Sequence, residues 1–329
     1  MKICIVGGTG NISRSIVELL LEQGHELACF NRGERGDVPD GARQIIGDRN
    51  DTDKYESTMQ AESFDAAIDM ICFSPEQAAS SIRAFTGVSH FVMCSTVCTY
   101  GIDYDWFPVT EEHPLRPISG YGRGKVAADD VFMAAYRESG FPVTIIKPST
   151  TMGPQSQAFR QISMDLSWID RIRKGKDIIV SGDGMALHQF MHVKDAAPAF
   201  AGVIGQEQCL GEIYNMTKRG FQTWVDYHKA AMKVLGKEVD IIGVPLETLK
   251  KLDVPNFGIC EDIFAHSLYY CSEKLFRDVP DYKPSISLED ILAESINEHD
   301  KKGEIPNSDD LKWEDAIITA QRKVADTSW

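Results

Sequence analysis

The stretch that most constrains this chain is its beginning, "KICIVGGTGNISRSIVELLLEQG", residues 2–24. "KICIVG" reads as a buried strand, and "NISRSIVELLLEQG" as a helix with an apolar face at Ile12, Ile16, Leu19 and Leu20, stopped by Gly24. The same alternation then repeats. "HELACFN", "ARQIIGD", "FDAAIDMICF", "SHFVMCST" and "FPVTIIKPS" read as further strands. "PEQAASSIRAFTG" and a segment from about Tyr121 to Glu138 read as helices. Short apolar strands separated by amphipathic helices, with glycines at the joins, predict an α/β fold. Its sheet is mostly parallel and covered on both faces, because parallel neighbours need long crossover connections.

The pattern loosens after Pro154. "MDLSWIDRIRKGK" and "TWVDYHKAAMKVLG" are helical, and short strands fall in "DIIVSGDGMALHQFMHVKD", "GEIYNMT" and "VDIIGVP". The expected division is a cofactor-binding domain over 1–175 and a smaller substrate lobe over 176–329. Some segments of the lobe should return to the first domain, and the polar C-terminal stretch should add one surface helix. A chain of 329 residues can bury a full core in either arrangement. Its net charge of −15 opposes a sequence-independent phosphate-binding surface, and so a nucleic-acid partner. The eight cysteines form no CxxC pair, and Cys4, Cys29, Cys72 and Cys94 lie in apolar runs that suit core packing. "MKICIVGGTG" breaks into glycines too early for a signal-peptide core, and no run approaches a membrane span, so the expected setting is cytoplasmic.

The loop "VGGTGNIS" has the composition of a diphosphate cradle. Gly7, Gly8 and Gly10 permit a tight turn and close backbone approach, and the helix N-terminus favours negative charge. Ser13 stands where a third glycine is usual. The second strand ends "CFNRGERG", without the acidic residue that would receive ribose hydroxyls; Asn31, Arg32 and Arg35 are there instead. Arginine's fork of donors suits a ribose 2′-phosphate, which favours NADP over NAD; a solvated basic turn is the alternative. Asp48 is placed to accept from an adenine amino group.

In "FVMCSTVCTYG" a strand brings Ser95 and Thr96 to the sheet edge where open parallel sheets hold their ligands. After a proline-bearing excursion, "SGYGRGKVAADD" opens a helix with Tyr121 and Lys125 one turn apart on one face. A free phenol, with a pKa of about 10, is a poor base at neutral pH. A neighbouring ammonium is expected to favour the phenolate, while Thr96 donates to the substrate oxygen and Lys125 also holds the nicotinamide ribose. A second tyrosine–lysine pair, Tyr270 and Lys274, has neither glycine loop nor strand-end hydroxyl near it and reads as structural. His188 and His192 lack a third ligand at useful spacing, so no metal is expected.

Together "GGTG", "STVCTYG", "YGRGK", "IIKPSTTMGP", "GDGMALHQFMHVKD" and "DYKPSISLED" resemble the extended short-chain dehydrogenase/reductase superfamily, in particular its NAD-dependent epimerase/dehydratase family. The resemblance implies a Rossmann-type doubly wound parallel sheet with a smaller α/β C-terminal substrate lobe. It implies a triad at Thr96, Tyr121 and Lys125, and a homodimer through a helix bundle that includes the YxxxK helix. Expected cofactor contacts are Gly7, Gly10, Asn11, Ile12, Asn31, Arg32, Asp48, Tyr121, Lys125 and Pro148. Expected substrate contacts are Ser95, Cys98 and His188. The implied reaction is NAD(P)-dependent epimerisation or oxidoreduction at a secondary alcohol of a sugar or nucleotide sugar. Val97 and Cys98 replace the Asp-Glu pair of the 4,6-dehydratases, which argues against elimination. His188 replaces an arginine that meets the nucleotide diphosphate in epimerases. The "FNRG", "GDR" and "HVKD" spellings resemble a branch related to chloroplast stem-loop RNA-binding proteins. A non-catalytic nucleotide- or RNA-binding protein on the same scaffold is therefore the alternative.

Overall fold

The computed structural model describes residues 1–156 and 159–325. In chain order its first elements are β1 (Lys2–Val6), α1 (Asn11–Glu22), β2 (Glu26–Asn31), β3 (Arg43–Ile46) and α2 (Thr52–Glu62). They are followed by β4 (Ala66–Asp69), α3 (Pro75–Ala84), β5 (His90–Cys94), α4 (Gly120–Ser139) and β6 (Val143–Pro148). Then come β7 (Thr150–Met152), α5 (Ser167–Arg173), β8 (Ile178–Ser181), β9 (Leu187–His188), β10 (Phe190–His192), α6 (Val193–Val203) and β11 (Ile213–Met216). The remainder holds β12 (Gln222–Thr223), α7 (Trp224–Leu235), β13 (Ile241–Val244), α8 (Leu246–Leu249), α9 (Glu273–Asp278), α10 (Leu288–Lys302) and α11 (Trp313–Ala325).

Two compact units result. One comprises Met1–Thr151, Met191–Arg219 and Tyr270–Ser285; the other comprises Met152–Phe190, Gly220–Tyr269 and Ile286–Trp329. Residues 152–175, read from the sequence as part of the first region, belong to the second unit.

The first unit is built on a seven-stranded parallel sheet of order β11-β6-β5-β4-β1-β2-β3. From β1 the chain winds outward through β2 and β3, then returns to place β4, β5 and β6 on the other side. The reversal between β1 and β4 opens a crevice at their C-terminal ends. Period-two alternation sends Ile3 and Ile5 to the layer holding α1 and α6, and Cys4 and Val6 to the layer holding α2, α3 and α4. Both layers are apolar, as a sheet covered on two faces requires.

Helix ends follow local chemistry. Ser74 caps α3 by accepting from the Gln77 N–H at 3.3 Å, with Pro75 at the first helical position. Ser119 caps α4 by accepting from the Gly122 N–H at 3.0 Å, and Gly140 ends that helix at φ +70°. These two caps set where the segments carrying Phe73 and Tyr121 enter their helices.

The second unit has an aromatic core of Trp168, Trp224, Tyr227, Phe159, Phe190 and Phe264. Within it β13 runs parallel to β8, β12 runs antiparallel to β9, and α10 packs on α7. The C-terminal stretch is more than one surface helix. α11 carries the buried Glu314, whose two carboxylate oxygens both accept from Arg160 at 2.9 Å and which lies 3.4 Å from Arg171; Asp165 accepts from the same guanidinium at 3.1 Å. A buried guanidinium needs such a partner, so this helix completes the unit's interior.

Candidate active site

The loop after β1 enters the crevice with Gly7 at φ +88°, where a Cβ would stand 2.7 Å from the Ile71 side chain. Only glycine fits that position. Ser13 strengthens the loop: its hydroxyl accepts from the Gly10 N–H at 2.8 Å and donates to the Gly7 carbonyl at 2.7 Å. A third glycine could not make that brace.

Beside the loop lies a cleft of about 340 Å³ whose walls include Gly7, Gly10, Asn31, Arg32, Asp48 and Phe73. Asn31 is buried at the end of β2, and its side-chain oxygen accepts from the Gly33 N–H and the Gln44 amide, both at 2.8 Å. Its amide nitrogen finds no partner among the described residues. Arg32 is 58% exposed and paired with Glu34 at 2.8 Å. Asp48 accepts from the Asn50 N–H at 2.9 Å. Asn11 and Ile12 are not among the residues that wall this cleft. The Asn11 amide donates to the Thr151 carbonyl at 3.2 Å, and Ile12 packs on the α1 core layer. Pro148 is buried at the end of β6, in register with Met216.

The structure brings Thr96, Tyr121 and Lys125 together in the first unit. Thr96 accepts from the Cys98 N–H at 3.2 Å, and its side chain lies near enough to the Tyr121 phenol to favour the phenolate. The lysine differs from expectation. Lys125 is only 1% exposed; its ammonium donates to the Cys94 carbonyl at 2.6 Å and lies 5.8 Å from the centre of the Tyr121 ring. It meets the ring face rather than the hydroxyl. Tyr121 itself is 48% exposed. Desolvation by burial pushes the phenol upward from its ordinary value.

Behind the triad is a buried network that sequence reasoning missed. Asp129, one turn beyond Lys125 on α4, accepts from the Ser95 hydroxyl at 2.8 Å and pairs with Lys147 of β6 at 3.4 Å. Lys147 also donates to the Thr99 hydroxyl at 3.0 Å, and Thr99 donates to the Thr96 carbonyl at 2.9 Å. The segment carrying Thr96 is thereby tied to the helix carrying Tyr121. A lysine inside the apolar run "VTIIKP" was the available signal.

Three expected substrate contacts are relocated or qualified. Ser95 is buried and its hydroxyl is directed at Asp129, so it serves the interior. His188 is 1% exposed in the second unit, packed among Phe190, Trp224 and Phe264, and burial pushes its ring down to about 3. A neutral buried imidazole cannot stand in for a diphosphate-binding arginine. Cys98 is half-buried beside the triad, with burial raising its thiol, so it stays protonated.

Tyr270 and Lys274 are structural, as read. The Tyr270 hydroxyl bonds that of Tyr104 at 2.9 Å, while Lys274 donates to the Ile213 carbonyl at 2.8 Å. Among the described residues no cluster could hold a metal, and no helix is long and apolar enough to cross a membrane.

Comparison with known proteins agrees with this architecture. The chain is 26% identical to 2′-dehydrokanamycin reductase of Streptomyces kanamyceticus over 248 residues, covering 75% of this chain and 70% of that one. It is 27% identical to the chloroplast stem-loop binding protein of 41 kDa b of Arabidopsis thaliana over 334 residues, covering 97% and 84%. Among solved structures, UDP-glucose 4-epimerase of Thermotoga maritima with UDP-glucose superposes with a TM-score of 0.74 at 20% identity, covering 92% of this chain and 100% of that one. dTDP-glucose 4,6-dehydratase of Bacillus anthracis in complex with NAD gives 0.72 at 21% identity, covering 92% and 98%. The NAD dependent epimerase/dehydratase family matches residues 3–217, more than half of the chain. The seven-stranded parallel sheet, the glycine loop at its switch point and this match together place the chain in the NAD dependent epimerase/dehydratase family.

Proposed function

We propose that the protein is an NAD(P)-dependent oxidoreductase or epimerase acting on a secondary alcohol of a sugar or nucleotide sugar, or on the corresponding ketone. The observation that carries this reading is the placement of Tyr121 and Lys125 one turn apart on α4, with the buried Lys125 ammonium 5.8 Å from the centre of the Tyr121 ring. The crevice suits a dinucleotide: Gly7 leaves room that a side chain would fill, and the α1 N-terminus favours the diphosphate. Asn31, Arg32 and Asp48 would hold the adenosine end, and Lys125 the nicotinamide ribose. When bound, the cofactor supplies or accepts the hydride.

Tyr121 manages the proton. Because its phenol is held protonated, it is set to give that proton to a carbonyl oxygen as the oxygen gains charge. In the reverse direction the phenol must first lose its proton to solvent, and the phenolate then takes the proton from an alcohol. Thr96 is placed to donate to the substrate oxygen in both directions, and the Asp129–Lys147 pair keeps Thr96 in place through Thr99. The reductase named among the relatives supports ketone reduction on a sugar ring, and the named epimerases support transient oxidation. Val97 and Cys98 offer no acid–base pair for elimination.

Cofactor choice belongs to the same proposal. The Asn31 oxygen is already used by Gly33 and Gln44, so the end of β2 offers little to accept from a ribose hydroxyl. That supports NADP(H) binding at least as tight as NAD(H). A homodimer through the α4 face completes the reading, with sedimentation as its test.

A second reading, a redox-inactive RNA-binding protein, rests on similarity to the chloroplast stem-loop binding protein over nearly the whole chain. The net charge of −15 opposes it. A panel of sugars and sugar nucleotides tests the first reading. Stoichiometric NAD(P)H consumption identifies a reductase; inversion that retains substrate deuterium without net cofactor turnover identifies an epimerase. No turnover across the panel, with tight RNA binding at physiological salt, overturns the first reading and supports the second.

A further inference from the structure

Phe73 stands between the cofactor cleft and the triad. It lies on the segment joining β4 to α3, contributes to the cleft wall, and is 46% exposed. Its ring is 6.1 Å from that of Tyr121, and the Lys125 ammonium sits 4.6 Å from its centre. An aromatic face at that distance stabilises an ammonium withdrawn from water.

The backbone of Phe73 is held from both sides. Its N–H donates to the Gln77 side chain at 2.7 Å, and its carbonyl oxygen would lie 2.3 Å from any Cβ on Gly124. α4 is therefore pressed directly onto this segment, which leaves the ring as the part free to move. Lys125, at 1% exposure, can reach a ribose hydroxyl only if something uncovers it.

We propose that Phe73 is an aromatic gate on Lys125. Its ring shields the ammonium in the arrangement seen here and swings aside when the nicotinamide ribose of a dinucleotide arrives. The adenosine half binds on the near side of the ring and leaves it in place. Phe73 thus makes full engagement of Lys125 conditional on the nicotinamide half, so adenosine fragments cannot uncover the catalytic lysine. This inference rests on the dinucleotide reading above.

The test uses NADPH and NADH as complete ligands, and 2′,5′-ADP and ADP as fragments that lack the second ribose. With 4-fluorophenylalanine placed at position 73 alone, saturating NADPH or NADH should move the fluorine resonance, and the matching fragment should not. Phe73→Ala should tighten the dinucleotide by about three- to tenfold, the penalty of a binding-competent state populated at roughly a tenth to a third. Fragment affinity should stay within about twofold, since fragments do not require that state. Dinucleotide binding with an unmoved resonance overturns the gate, and so does equal weakening of dinucleotide and fragment in Phe73→Ala. Selective weakening of the dinucleotide would make the ring a stacking platform and also overturns it. If neither ligand class binds the wild-type protein, the dinucleotide reading itself fails and the gate fails with it.

Discussion

Arg32 was read from the sequence as a partner for a 2′-phosphate, and its neighbours bear on that reading. Its guanidinium lines the cleft beside the glycine loop, yet Glu34 holds it at 2.8 Å and most of it faces solvent. An exposed pair of this kind is worth about 1 kcal/mol or less, so its contribution to a 2′-phosphate is modest. Arg32→Ala should weaken NADPH binding by roughly fivefold and leave NADH binding nearly unchanged; Glu34→Gln, which frees the arginine, should tighten NADPH. Titrations of both cofactors check this, and equal losses for NADPH and NADH would refute the arginine's role. The pairing of Tyr121 with Lys125 was legible because helical spacing sets the two on one face of α4. Ser95 and His188 were misread because side-chain direction depends on partners distant in sequence: Asp129 for the first, Trp224 and Phe264 for the second.

Among the elements, α4 joins more of the account than any other. It presents Tyr121 and Lys125 at its first turns and buries Asp129 one turn later against Lys147 of β6. Removing one partner of a buried pair leaves an uncompensated charge. Asp129→Asn and Lys147→Met should therefore each destabilise the protein by about 3–5 kcal/mol, while the double variant should cost less than their sum. Chemical denaturation measures all three, and additive losses would show that the two charges do not depend on each other. Only the lysine half of this pair showed in the sequence, because aspartate in "AADD" looks like an exposed helix face. α2 was missed for the opposite reason: only Tyr55 and Met59 are buried in it, too few to create a clear period. α1 and β1 were plain because burial repeats strictly along both.

Across the whole molecule, buried histidines make stability depend on pH. Burial holds His188 and His228 at about 3 in the second unit, with Arg160 also lowering His228, and holds His90 at about 4 in the first. The unfolded chain protonates histidine near pH 6.5. Above that pH these rings are neutral in both states and cost nothing. As pH falls below it the unfolded chain gains protons that the folded chain refuses, so stability drops by up to about 1.4 kcal/mol per pH unit for each histidine. Denaturation midpoints should fall steadily from pH 7 to pH 5, and a flat profile would contradict the buried neutral state. The central claim is that one scaffold binds a dinucleotide and uses Tyr121 to move a proton. The most direct measurement compares Tyr121→Phe with wild type for NAD(P)H affinity and for turnover of an active sugar substrate. The account predicts unchanged affinity within about twofold and a loss of turnover of about 10²- to 10⁴-fold; unchanged turnover would contradict it.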